Sequence, residues 1–136
     1  MTIRQELEGR VKALAAAQIP PIKVAYEDVA FDPTGLDAWL EVIIVPAATV
    51  NVTVDANRIR EVGVMQVNVW CKTGQGAGKG EKIADKIIAA FPMMPPTGTV
   101  WITQTPYKSR AIKDESGWRI VPVTINYRKE NEVVPT

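Results

Sequence analysis

The sequence predicts an α+β domain, with two helices packed on a mainly antiparallel or mixed β-sheet. Three observations lead there. Apolar residues recur with a helical period in two separate stretches, at 3–14 and 83–91. Between and after them lie β-branched or alternating runs such as WLEVIIV at 39–45 and EVGVMQVNVWCK at 61–72. The chain of 136 residues carries no internal repeat and no composition break, so residues 1–136 read as one domain.

Thr2-Ile3-Arg4-Gln5 has the form of a capping box, a hydroxyl followed three residues later by a side-chain amide. Ile3, Leu7, Val11 and Leu14 then form one stripe, which predicts a helix over 3–17. Pro20-Pro21 cannot continue it, because proline lacks the N–H and disfavours helix at the residue before it. A short strand is expected at 24–26, and the turn-rich DPTGLD separates it from the strand at 39–45. Val50, Val52 and Val54 alternate with polar residues as in a strand, and DANR makes a turn. In the next strand Met65, Val67, Val69 and Cys71 share one side, and Gln66, Asn68 and Trp70 the other.

Ile83, Ile87, Ile88 and Phe91 define the second helix, which Pro92 stops. PMMPPTG is an irregular link and TVWITQ a further strand. The run from Lys108 to Lys129 reads as a hairpin looped at Asp114-Glu115-Ser116-Gly117. Its second strand places Val121, Val123, Ile125 and Tyr127 on one face, and 129–136 is expected to be a flexible tail.

Composition narrows function. Sixteen basic and fifteen acidic residues leave a net charge of +1, which gives no general attraction to nucleic acid or to a membrane surface. The N-terminus lacks the apolar core of a secretion signal, no apolar run approaches a bilayer span, and synthesis in the cytoplasm is the expectation. The chain has no histidine, which removes the commonest general base and metal ligand together. No enzyme, metal or cofactor is expected.

The stretch CKTGQGAGKGEK tests that expectation. A phosphate-binding P-loop requires G-x-x-x-x-G-K-[ST]. Counting back from Gly78-Lys79 puts Thr73 where the first glycine must be, and Gly80 follows where the magnesium-binding hydroxyl must be. The dinucleotide pattern G-x-G-x-x-G ends on Lys79 or Glu81 and closes in neither register. Residues 73–80 therefore read as a pliant connector suited to contact with a partner.

Glu27, Asp28, Asp32 and Asp37 lack the spacing of a calcium loop and read as a solvated turn. Cys71 reads as buried filler. Lys72, Lys79, Lys82 and Lys86 read as a solvated face around the glycine loop. Trp39, Trp70 and Trp101 each share a strand face with polar residues, either packed under a loop or anchoring a subunit interface.

Two longer phrases, VAYEDVAFDPTGLDAWLEVIIVPA and VGVMQVNVWCKTGQGAGKGEKIADKIIAAFP, together with the element order, resemble the tail terminators of long-tailed bacteriophages, the group around minor tail protein U. The residues that carry the likeness are Gly63, Gln66, Val67 and Val69, then Ala84, Asp85, Ile88, Ala89, Ala90 and Phe91. The resemblance covers about residues 1–128. It implies a homo-oligomeric ring, typically a hexamer, which caps the tail tube, ends its polymerisation and offers a surface to the head–tail connector. DNA would pass through the lumen without specific binding, and the protein would reside in the virion tail of a phage or prophage. The alternative is another small neck, tail-completion or adaptor module without catalysis. The expected subunit or tube contacts are Trp70, Thr73, Gly74, Gln75, Gly76, Ala77, Gly78, Lys79, Gly80 and Trp101.

Overall fold

A computed structural model describes residues 2–18, 20–51, 58–93, 100–114 and 116–132. The elements follow as α1 (Ile3–Ala16), β1 (Lys23–Ala25), β2 (Ala38–Pro46), β3 (Val50–Asn51), β4 (Arg58–Lys72), α2 (Gly78–Ala90), β5 (Trp101–Ile102), β6 (Tyr107–Lys108), β7 (Ile112–Lys113) and β8 (Trp118–Glu132). Both helices lie on one face of a single mixed sheet. The α+β class is as the sequence predicts.

The capping box forms. Thr2 Oγ1 accepts from Gln5 N at 3.1 Å, and Gln5 Oε1 accepts from Thr2 N at 3.0 Å. Both bonds satisfy donors that the start of a helix leaves unpaired. Leu7, Val11 and Ala15 are the buried stripe of α1.

The sheet is built on one long pair. All fifteen residues of β4 pair antiparallel with β8, from Arg58 opposite Glu132 to Lys72 opposite Trp118. β2 flanks β4 antiparallel, with Trp39 opposite Trp70 and Pro46 opposite Gly63. β1 is parallel to β2 and makes the sheet mixed. The strand order is β1-β2-β4-β8-β5, with β3 also on β4 and β6 and β7 also on β8. Leu40, Val42, Met65, Val67, Val69, Val121, Val123 and Ile125 form the buried sheet side of the core, against Leu7, Val11, Ala84, Ile87 and Phe91 of the helices. The alternation read from β4 and β8 therefore selects the core face.

Three differences from the sequence reading stand out, beside one-residue shifts at α1 and β1 and a β5 confined to Trp101–Ile102. The last strand runs to Glu132, four residues into the expected tail, because the start of β4 supplies its ladder partners as far as Arg58; residues 133–136 lie outside the described residues. β6 adds a strand that the sequence does not announce, since two residues carry no readable period. Helix α2 begins at Gly78, earlier than its apolar stripe suggests. Val52 and Val54, the DANR turn up to Asn57, and most of the PMMPPTG link lie outside the described residues.

One carboxylate couples the sheet to α1. Glu27 Oε1 accepts from Ile44 N at 2.6 Å and from Arg4 at 3.1 Å. The Ile44 amide above all holds the Glu27 carboxyl below its ordinary range; burial opposes it, and Arg4 adds to the lowering. A depressed folded pKa contributes stability that is present above the unfolded value, about 4.5, and is lost as pH falls through the folded value. Glu27→Gln is therefore expected to lower the melting temperature at pH 7, with the difference from wild type shrinking by pH 3. Thermal unfolding at the two pH values checks this.

Candidate functional site

The connector between β4 and α2 is shorter and more tied down than a pliant residue 73–80 loop. Residues 73–77 make the turn, and Gly78, Lys79 and Gly80 form the first turn of α2. Gly74 and Gly76 take φ of 90° and 86°, the left-handed region that glycine enters without steric cost. Thr73 is fixed at both of its donors: its N and Oγ1 reach the Gly117 carbonyl at 3.0 and 3.1 Å. Arg119 donates to the Ala77 carbonyl at 3.1 Å, and Lys79 Nζ to Gln75 Oε1 at 3.1 Å. The loop thus leans on the β7–β8 hairpin.

Gly80 has a different part. It is buried, and a Cβ there would stand 3.1 Å from Val121 Cγ2 and 3.5 Å from Cys71 Sγ. Its missing side chain lets α2 sit close on the sheet. Gly74, Gly76 and Gly78 have open space where a Cβ would go. Gly78→Ala is expected to stabilise by about 0.5–1 kcal/mol through helix propensity and unfolded-state entropy. Gly74→Ala is expected to cost about 1–2 kcal/mol, because only glycine takes that φ readily. Opposite shifts of the denaturation midpoint check the pair.

The second feature is the sheet face that the helices leave uncovered. Residues in register with Trp70, Asn68 and Gln66 point there: Trp39 and Glu41 from β2, and Ile120, Pro122 and Thr124 from β8. Trp39 and Trp70 stack at 4.6 Å between centroids and 13° between planes. Phe31 lies 4.9 Å from Trp39, and Trp118 meets both indoles edge-on. A polar row adjoins the rings: Gln66 donates to Asn68, Asn68 to Glu41 at 2.8 Å, and Trp70 Nε1 to the same Glu41 oxygen at 3.3 Å. Trp39 is only 8% exposed, so this cluster packs much of its area within the chain.

At the other end of the same face Trp101 is 39% exposed beneath the Arg128 guanidinium, 4.8 Å from its ring centroid. Val45, Tyr107 and Ile112 are exposed on this face too. Trp70 and Trp101 stand opposite Ile120 and Arg128 of β8, eight residues apart, or roughly 27 Å along a strand. They share a face without sharing a site, whereas Trp70 adjoins the glycine loop directly. Trp118, missing from the sequence-derived set, belongs to the first group. The alternation of β8 could have found it, since Val121 and Val123 face the core and 118 has the other parity.

Chemistry is sparse. Cys71 is buried at the end of β4, and desolvation pushes its thiol up, against weaker opposing effects of Lys79 and Arg119. Among the described residues no group of three or more His, Cys, Asp or Glu is placed to hold a metal ion. No helix among them is long and apolar enough to cross a membrane.

A family model described as phage tail terminator protein matches residues 2–127. The chain belongs to the phage tail terminator family. A solved structure 27% identical superposes with a TM-score of 0.75, covering 98% of this chain and 96% of its own. A chain from the virion of a native gene transfer agent particle, 14% identical over 92% of each chain, superposes with a TM-score of 0.64 and shares the fold. No curated protein matches. Family membership supports a structural role in tail completion and a place in the virion.

Proposed function

We propose that copies of this chain close into a ring, six by the family resemblance, on the end of the tail tube. The ring ends tube polymerisation, offers its outer side to the head–tail connector and lets DNA pass without gripping it. It carries out no chemical reaction and needs no cofactor. The observation that carries this reading is the family match across residues 2–127.

The surface anatomy supports it. A ring needs two different patches that meet around the circle, and a further patch for the tube. The uncovered sheet face offers aromatic and apolar groups of the kind enriched at interfaces. Within that reading the subunit or tube contacts are Thr73, Gly74, Gln75, Gly76, Ala77, Gly78 and Lys79 with Trp70 on one patch, and Trp101 on another. Gly80 serves helix packing instead. The test adds purified protein to elongating tail-tube subunits and images the products. Tubes that stop growing and carry added density at one end support capping. Tubes that grow on unaltered overturn it, and density found only on the connector would favour a neck adaptor.

A further inference from the structure

Two charged features border these patches: the lysines of α2, of which Lys79 also belongs to the loop patch, and the acidic turn after β1, whose Asp28 and Val29 line a pocket with Trp39 and Glu41 of the sheet face. Lys79, Lys82 and Lys86 recur at spacings of three and four, so they stand on one side of α2. They rim a groove of about 470 Å³ whose apolar lining includes Pro21, Ile22, Leu36 and Ile83. Lys79 and Lys86 donate to the amide oxygens of Gln75 and Gln18, at 3.1 and 3.0 Å. Among the described residues no carboxylate forms an ion pair with any of the three. Asp37, also at the groove, lies 4.0 Å from Lys72 instead. The groove thus offers an apolar floor under three lysines that form no ion pair among the described residues and outnumber Asp37, the one carboxylate in its lining.

The acidic turn has the complementary make-up. Val29 is 61% exposed beside Asp28, and Asp28 holds φ at 60°, where a non-glycine residue is uncommon. Both flanks are pinned. Glu27 is bound to Ile44 N and Arg4, and Asp32 accepts from Thr34 N at 3.0 Å and from its hydroxyl at 2.6 Å. An apolar tip between carboxylates is held outward on a fixed base, with little freedom left to lose on binding.

The chain cannot fill its own groove. The turn is tied to Arg4 in the first turn of α1, and the groove begins at Gln18, just beyond its end. The helix between them has 14 residues and so spans about 21 Å. Two different surfaces, one basic and one acidic, at separate places on one molecule are what a head-to-tail contact requires.

We propose that the lysine-rimmed groove receives the turn at Asp28 and Val29 of a second copy of this chain. The proposal rests on the ring reading above and names two of the surfaces that close the ring. Opposite charges also make the contact sensitive to salt.

The experiment uses full-length chains carrying Lys82→Glu or Asp28→Lys, with wild type as control. Assembly on tail tubes is read by electron microscopy and self-association by native mass spectrometry. Each variant alone is expected to lose self-association at least tenfold, with circular dichroism unchanged. Mixed one to one, the two are expected to assemble again, because alternating copies restore opposite charge at every contact. Full assembly of either variant alone overturns the pairing and leaves the ring reading intact. So does failure of the mixture to recover. Rings that form normally but no longer bind tubes overturn it as well, and place an acidic segment of the tube protein in the groove. Wild type that forms no ring, free or on tubes, overturns the ring reading and the pairing with it.

Discussion

Replacing Gly63 by alanine is expected to destabilise the fold by about 3 kcal/mol, the upper part of the range for overpacking. Gly63 lies in β4 between Pro46 of β2 and Tyr127 of β8. A Cβ there would stand 2.7 Å from Tyr127 Cζ and 2.7 Å from the Val45 carbonyl oxygen, and closer still to the Tyr127 hydroxyl. Tyr127 is 3% exposed and cannot swing into solvent, and the Val45 oxygen is backbone. Either the strands part or the tyrosine leaves the core. For a domain of this size the melting temperature should fall on the order of 10 °C. Adding Tyr127→Phe should recover only part of the loss, because the clash with the Val45 carbonyl persists. An unchanged melting temperature in the single variant contradicts this geometry.

Phe91→Ala should cost more, about 3–5 kcal/mol, through lost apolar burial and the cavity left behind. Phe91 is fully buried where α2 ends. The Arg10 guanidinium of α1 lies over its ring at 4.4 Å and also donates to the Ala90 carbonyl at 2.8 Å. The side chain therefore joins the two helices as well as filling the core. Truncation removes the ring and leaves the arginine, part-buried, against empty space. Denaturant unfolding should show a lower midpoint, and Arg10→Ala in the same background should add less than it costs in wild type, since the partners are coupled. Independent, additive losses would argue that the contact carries no energy.

Both positions belong to the phrases by which the sequence resembles tail terminators. Gly63 is required by the close approach of Tyr127 and the Val45 carbonyl, and Phe91 by the junction of the helices. Those phrases record the packing of the fold rather than a reactive site, which is why no catalytic chemistry could be read from them.

What was legible in the sequence was legible for local reasons. The capping box at Thr2 and Gln5 and the stripe of α1 are complete within one segment, and the alternation of β4 and β8 selects a face without knowledge of the partner strand. The parallel pairing of β1 with β2 was not legible, since neither strand carries a mark of its neighbour's direction. The start of α2 was hidden because Gly78 and Gly80 are poor helix formers, and the contact that favours helix there is tertiary, Gly80 against Val121 and Cys71. Trp70 and Trp101 are both on the uncovered face, as their polar strand neighbours suggest. Their separation depends on the register of β8, which periodicity does not give. The positive φ of Asp28 likewise left no trace beyond a turn-rich composition.

The most direct measurement is the length distribution of tail tubes in particles produced with and without this gene. Capping predicts uniform tails when the protein is present, and overlong tubes of widely scattered length, unjoined to heads, when it is absent. Tails of normal, uniform length joined to heads in its absence would contradict it.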